Sequence, residues 1–220
     1  MLILALDTAT PASTAGVAEV TGTDPHVHGL AERRTVDARA HGELLAPQIH
    51  ATLEEAGVRP RDLAAIVAGV GPGPYTGLRV GLATAASMGQ ALGIPTYGVC
   101  SLDGLGRAAG PGRVLVATDA RRREIYYATY VDGRRMSGPE VAKPFSFAGQ
   151  ADRAVGEGAV RYSDILGVPI DEHVLYPPGA ALIALAADRI LGKADGEVLT
   201  PLYLRRPDAV EPAARKTVLP

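Results

Sequence analysis

The chain has 220 residues, 47% of them apolar and 21% charged, with a formal net charge of −2. That apolar share supports a packed core and excludes disorder of the whole, and the near-neutral balance excludes blanket attraction to nucleic acid or anionic membrane. Cys100 stands alone, so no internal disulfide framework is available.

LILAL at 2–6 is an apolar run that meets Asp7, read as a central strand feeding the polar loop DTATPAST. Its shortness gives no secretory leader, and no stretch approaches the roughly 20 apolar residues of a spanning helix, so a cytoplasmic protein is expected. Residues 14–20 and 26–36 read as two further strands joined by a turn, which opens the sheet as an antiparallel meander. From His41 to about Glu55, Leu44, Leu45, Ile49 and Leu53 recur near one helical face, and Gly57 supplies the stop. LAAIVAGV at 63–70 is a buried strand, a helix follows from about Tyr75 to Leu92, and Pro95 opens a short strand through Cys100. Ser101 is placed as the cap of a helix over 102–108. Gly110, Pro111 and Gly112 mark a boundary.

Beyond it, VLVAT at 114–118 and EIYYATYV at 124–131 are strands. The second alternates Tyr126, Ala128 and Tyr130 against Tyr127, Thr129 and Val131, the pattern of a strand exposed on one side. Residues 132–175 carry weak signals, with one helix expected near Phe147–Arg153. GAALIALAADRIL at 179–191 is a clear helix, PLYLRR at 201–206 is extended, and the last dozen residues read as a tail.

The most specialised stretch is GVGPGPYTGLRVG at 69–81, with five glycines and two prolines. It fails the G-x-G-x-x-G dinucleotide fingerprint in both registers, and it lacks the lysine of a phosphate-cradling GK[ST] loop. Pro72 and Pro74 fix φ beside permissive glycines, so a bent, stiff loop is expected, with the Thr76 hydroxyl capping the next helix. Gly77, Gly81, Ala85 and Gly89 fall at four-residue steps, a stripe nearly without side-chain volume, with Leu78, Leu82 and Met88 beside it. That edge is expected to pack very closely against the sheet or another subunit, and the helix start could meet phosphate through its free N–H groups.

No complete catalytic set is visible. Asp7, with Thr8, Thr10, Ser13 and Thr14 around it, serves either to orient water or hold magnesium through its shell, or to cap its own turn. His26 and His28 point the same way on a strand but give only two ligands, and HGELL at His41 is not H-E-x-x-H, so no metal is expected. Cys100, ending a buried strand, is read as a small hydrophobe. Asp119, Arg121, Arg122, Arg123 and Glu124 form a charged hairpin link, read as solvated or as an anion or partner contact. Arg33, Arg34, Arg205 and Arg206 would join it only if the fold gathers them.

Taken together, LALDTATPASTAGVA, HGELLAPQI, the 69–105 segment, DARRREIYYATY and PLYLR resemble the TsaB family, most specifically through Pro72, Gly73, Tyr75, Thr76, Gly77, Leu78, Arg79 and Gly81. The resemblance implies an α/β fold of actin/Hsp70/sugar-kinase (ASKHA) type, with a first lobe over 1–109, a reduced second lobe over 110–206 and a tail at 207–220. It implies a noncatalytic subunit that pairs with TsaD, with TsaE joining, for threonylcarbamoyl transfer to adenosine 37 of tRNAs reading ANN codons. TsaD carries a histidine-x-x-x-histidine metal pair where this chain has Ser101 and Leu105. The implied partner face is Tyr75, Thr76, Gly77, Leu78, Gly81, Leu82, Ala85, Met88 and Gly89, which isolated chains also use to form homodimers. Asp7, Thr8, Thr10 and Ser13 would be a vestigial nucleotide loop. No cofactor is required, although ATP or ADP is compatible with the assembled complex, and tRNA would be met through the complex, with Arg121, Arg122 and Arg123 as the RNA candidates. The competing expectations are a stand-alone ATP-dependent kinase or hydrolase of the same fold, and a metallopeptidase.

Overall fold

The computed structural model describes residues 1–205; Arg206 and the expected tail lie outside the described residues. The alternating apolar runs of the first hundred residues build one five-stranded sheet. β1 (Leu2–Asp7) pairs antiparallel with β2 (Ala12–Thr21), which pairs antiparallel with β3 (His26–Val36). On its other side β1 runs parallel to β4 (Leu63–Gly69), and β4 to β5 (Thr96–Val99), giving the order β3-β2-β1-β4-β5. The expected opening meander is therefore present.

β1 is buried on both faces, which is why it reads as continuous apolar residues. Leu4 and Leu6 face α1 (His41–Glu55) and α2 (Tyr75–Leu92), where Leu45, Ile49, Leu53, Leu82 and Ala85 close one core. Ile3 and Ala5 face the opposite way, onto Leu182, Ile183, Ala186 and Ile190 of the late helix running Gly179–Leu191. That helix returns across the Gly110–Gly112 boundary to cover the first sheet, so a division of the chain at residue 110 follows the sheets but not the helical layers. Gly16 and Gly179 touch there, and a Cβ built on Gly16 would stand 3.0 Å from the Gly179 Cα. Among the described residues no helix is long and apolar enough to cross a membrane.

The second sheet has the order β8-β7-β6-β9, from β6 (Arg113–Asp119), β7 (Ile125–Val131), β8 (Arg134–Ala142) and β9 (Arg153–Val155). α3 (Ser101–Ala109) packs Leu102 and Leu105 on one face of it, against Val114, Val116, Ala128 and Tyr130. Ala159 of α4 (Glu157–Arg161) and Leu166 of α5 (Ser163–Leu166) cover the other face; the Gly179–Leu191 helix is α6. α3 and α6 pack on each other, with the Leu182 side chain seated where a Cβ on Gly104 would be. They are the joint between the two sheets. As expected, Tyr126, Ala128 and Tyr130 are buried while Tyr127, Thr129 and Val131 are not.

Local expectations differ at four places. The segment from Phe147 to Arg153 is not helical: a 3-10 turn spans Pro144–Phe147, Gly149 takes φ +68, and Arg153–Val155 pairs with β6. β8 had no legible period because it is an edge strand with most of its side chains exposed. Thr76 is exposed and does not cap α2, whose N-cap is Pro74. Ser101 is the first residue of α3 rather than its cap, which is Cys100, and its hydroxyl donates to Asp7.

Candidate functional site

The glycine loop leaves β4 at Gly69 directly beside the end of β1. A Cβ on Gly69 would fall 1.8 Å from Asp7 Oδ2, and one on Gly73 would fall 2.2 Å from the Ala9 carbonyl oxygen. The glycines are therefore required by the approach of the 7–10 loop. The same holds along α2. A Cβ on Gly77 would lie 2.8 Å from the Thr8 carbonyl, one on Gly81 2.3 Å from Thr8 Oγ1, and one on Gly89 2.6 Å from Thr96 Cγ2. Thr8 donates its hydroxyl to the Gly77 carbonyl at 2.7 Å and accepts from the Gly81 N–H at 3.1 Å.

The residues of the expected partner face divide between buried and exposed positions. Gly77, Leu78, Gly81, Leu82, Ala85 and Gly89 are all buried within the first lobe, and Met88 is half-buried. The close-packing edge is real, but β1, its following loop and β5 fill it. Tyr75 and Thr76 are exposed at the helix start. The outward side of α2 is instead Arg79, Ala83, Ala86, Ser87 and Gln90. It borders a groove of about 1010 Å³ whose far wall is the 196–203 segment, including Val198, which is 91% exposed.

The residues expected to form a nucleotide loop are also sealed. Asp7 Oδ1 accepts from the Ala9 N–H at 3.0 Å, and Oδ2 accepts from Ser101 Oγ at 2.5 Å. Burial raises its pKa from 3.8 to about 6, against the opposing pull of the Ser101 and Ala9 hydrogen bonds. Thr10 Oγ1 accepts from Ala12 N–H, and Ser13 Oγ lies 2.8 Å from His41 Nδ1. None of these four side chains is more than 3% exposed. Asp7 thus takes the turn-capping alternative and presents no carboxylate to a ligand. Ser101 and Leu105 are buried as well, the first bridging Asp7 and the Gly71 N–H, the second within the apolar core under the second sheet. Among the described residues no group of three or more His, Cys, Asp or Glu side chains is arranged to hold a metal ion. Cys100 is half-buried, and burial pushes its thiol up to about 11, well away from a reactive thiolate.

The accessible chemistry lies between the lobes, in a cleft of about 480 Å³. The 9–11 loop and Gly73–Gly77 form its first-lobe wall, and the tip of the β6–β7 hairpin forms the other. Four arginines line it against one aspartate: Arg121, Arg122, Arg161 and Arg205 with Asp119. Arg161 pairs with Asp119 at 3.2 Å, and Arg205 pairs with Glu124 while donating to the Ala120 carbonyl at 2.7 Å. Arg121, Arg122 and Arg123 adopt φ of 60°, 53° and 60° in succession. This left-handed run costs about 1–2 kcal/mol per residue for L side chains. At the cleft mouth Tyr203 stacks on Tyr75 with centroids 5.0 Å apart, and the Arg79 guanidinium lies 3.9 Å from the Tyr75 centroid. Behind the hairpin, Glu157 accepts from the Asp119 N–H at 2.8 Å, and burial pushes its carboxyl up to about 7.

Of the scattered basic residues, Arg205 joins Arg121 and Arg122 in the cleft, whereas Arg33 and Arg34 pair with Glu55 and Glu32 on the first lobe. His26 and His28 lie on β3. Arg161, Tyr203 and Glu157 were missed in sequence because they reach the cleft from separate elements with no local motif.

A family model described as TsaD, tRNA N6-adenosine threonylcarbamoyltransferase, matches residues 34–195. Uncharacterized proteins of Mycobacterium tuberculosis and Mycobacterium leprae are 49% and 47% identical over 94% of this chain, which spans 93% of the former and 56% of the latter. The tRNA threonylcarbamoyladenosine biosynthesis protein TsaB of Haemophilus influenzae is 30% identical over 93% of this chain and 94% of its own length. YeaZ from Pseudomonas aeruginosa has a TM-score of 0.76 at 28% identity, covering 92% of this chain and 99% of that one. Two mixed sheets flanked by helices, with these likenesses, give the expected ASKHA-type α/β fold. The chain belongs to the family of TsaD-like proteins and is a TsaB-like member of it.

Proposed function

We propose that this chain takes part in making tRNA threonylcarbamoyladenosine as a noncatalytic assembly subunit. It pairs with a TsaD-type transferase, with a TsaE-type partner joining, and meets tRNA through that assembly. The observation that carries the reading is the sealing of Asp7, Thr8 and Ser13. The side chains that would face phosphate or metal in an active member of this fold are committed here to internal hydrogen bonds. Such a chain supports a reaction by shaping a partner rather than by touching the reacting atoms.

The docking face is the outward side of α2. Ala83, Ala86 and Ser87 are small and exposed, and the apolar groove beside them extends the surface. In isolation a second copy of the chain occupies the same face. The test is reconstitution: the chain alone leaves tRNA unmodified, and addition to transferase, ATPase partner and the adenylate-making enzyme restores modification. Ala86→Arg abolishes co-purification with the transferase while leaving the thermal melt unchanged. ATP turnover by the purified chain alone would overturn this reading in favour of a stand-alone kinase or hydrolase.

A further inference from the structure

Arg79 is the charge that the outward side of α2 leaves unbalanced. Its Nε donates to the Tyr203 hydroxyl at 3.2 Å, and its guanidinium lies 3.9 Å from the centroid of the Tyr75 ring, on which Tyr203 stacks. The other charged side chain along the groove is Glu197, and it is committed. It pairs with Arg189 at 2.5 Å and accepts from the Gly98 N–H at 3.0 Å. Among the described residues no carboxylate meets Arg79. A long side chain held against two aromatic rings has already lost much of its rotamer freedom, so its remaining N–H donors meet a partner at little further entropic cost. Both rings stay accessible, Tyr75 at 41% and Tyr203 at 36%. Tyrosine and arginine are also the residue types that carry most binding energy at protein interfaces. Further along the helix, Ala83 and Ser87 follow Arg79 at four-residue steps and are exposed. Their small side chains let a partner helix lie close enough for an acidic side chain to reach the guanidinium.

We infer that Arg79, framed by Tyr75 and Tyr203, receives a carboxylate of the transferase at the edge of the α2 docking face. This rests on the assembly reading and adds to it the chemistry of the partner: an aspartate or glutamate, followed by small or apolar side chains that lie on Ala83, Ala86, Val198 and Pro201 along the groove. A guanidinium offers a carboxylate two parallel N–H···O bonds, so arginine here selects its partner by geometry as well as by charge. A lysine would supply the charge without the fork or the stacking.

The test uses the full chain with purified transferase in excess, and affinity is measured by analytical ultracentrifugation across a salt series. Arg79→Glu weakens binding by about tenfold or more, and Arg79→Lys by less. Arg79→Gln flattens the salt dependence that wild type shows. Tyr203→Phe keeps the stacked ring and removes the hydroxyl that orients Arg79; it weakens binding by a few fold at an unchanged melting temperature. Arg79→Lys is then treated with a carbodiimide, which joins an amine to a carboxylate in direct contact, and the product is mapped by mass spectrometry. The expected link runs from position 79 to an aspartate or glutamate of the transferase. The inference is overturned if position 79 links instead to a carboxylate of this chain, its own or a second copy's, or to none, or if Arg79→Glu binds like wild type. Each of those results leaves the assembly reading standing, because the transferase still binds. If the wild-type chain does not bind the transferase at all, the assembly reading fails and takes this inference with it.

Discussion

Substituting Gly81 by alanine places one methyl group where Thr8 Oγ1 now lies, at 2.3 Å, with Thr8 Cβ and Cγ2 at 3.4 Å. In a helix facing solvent the change would stabilise by about 1 kcal/mol, because glycine is the poorer helix former. Here the Thr8 hydroxyl must retreat by roughly 1 Å to reach ordinary contact, and overpacking of this kind costs about 1–3 kcal/mol. The retreat also loosens both hydrogen bonds of that hydroxyl, to the Gly77 carbonyl and from the Gly81 N–H, at about 1 kcal/mol each. The net expectation is a loss of about 2–4 kcal/mol, read as a lower urea midpoint at unchanged slope. Thr8→Ala in the same chain removes the obstruction and leaves the 77 carbonyl and the 81 N–H to each other as an ordinary helix pair. The double variant should therefore be more stable than the sum of the two single losses, by at least about 1 kcal/mol. If Gly81→Ala is as stable as wild type, the stripe is not held by Thr8 and the inward packing of α2 is misassigned.

Asp7 supplies a pH signature. Its folded pKa, raised to about 6 from 3.8, means the folded state binds more protons across that window. Stability from this group is therefore full below about pH 3.8 and is lost as the pH rises through about 6, by roughly 3 kcal/mol in all. Asp7→Asn should gain on wild type by about that amount between pH 4 and pH 7 in chemical denaturation, and a flat difference would contradict the burial of the charge. Glu157, raised from 4.5 to about 7, gives a slope of the same sign displaced upward, which Glu157→Gln should remove. On the outward side of α2, Ala83→Leu should change stability by less than about 0.5 kcal/mol while altering association with the transferase, measured by analytical ultracentrifugation.

Much of the first lobe was legible because its elements carry strong periods. β1 is continuously apolar, α1 repeats leucine and isoleucine along one face, and the glycine at 93 ends α2 in the left-handed conformation that such a stop uses. The second lobe blurred where periodicity does: β8 is an exposed edge, β9 is three residues long, and α4 and α5 are single turns. The fate of α6 was not legible at all. An apolar helix shows that it is buried, not against which sheet; its place is seen only in the structure, where it packs on Ile3 and Ala5 and Gly179 meets Gly16.

The glycine stripe reads as a place of close approach to the sheet or to another subunit, and in the structure the first lobe itself fills it. Small residues at four-residue steps report the absence of side-chain volume on one edge, and the sequence of that edge does not say what fills the space. The discriminating signal was on another element. Thr8, the first hydroxyl after a buried strand, can reach a helix backbone only where both a carbonyl and an N–H are open to it, and Gly77 with Gly81 provide that opening. The hydroxyl is a clasp between the end of β1 and α2. The same contact ties the loop after β1 to the start of α2, and Gly77 in that contact also lines the first-lobe wall of the cleft.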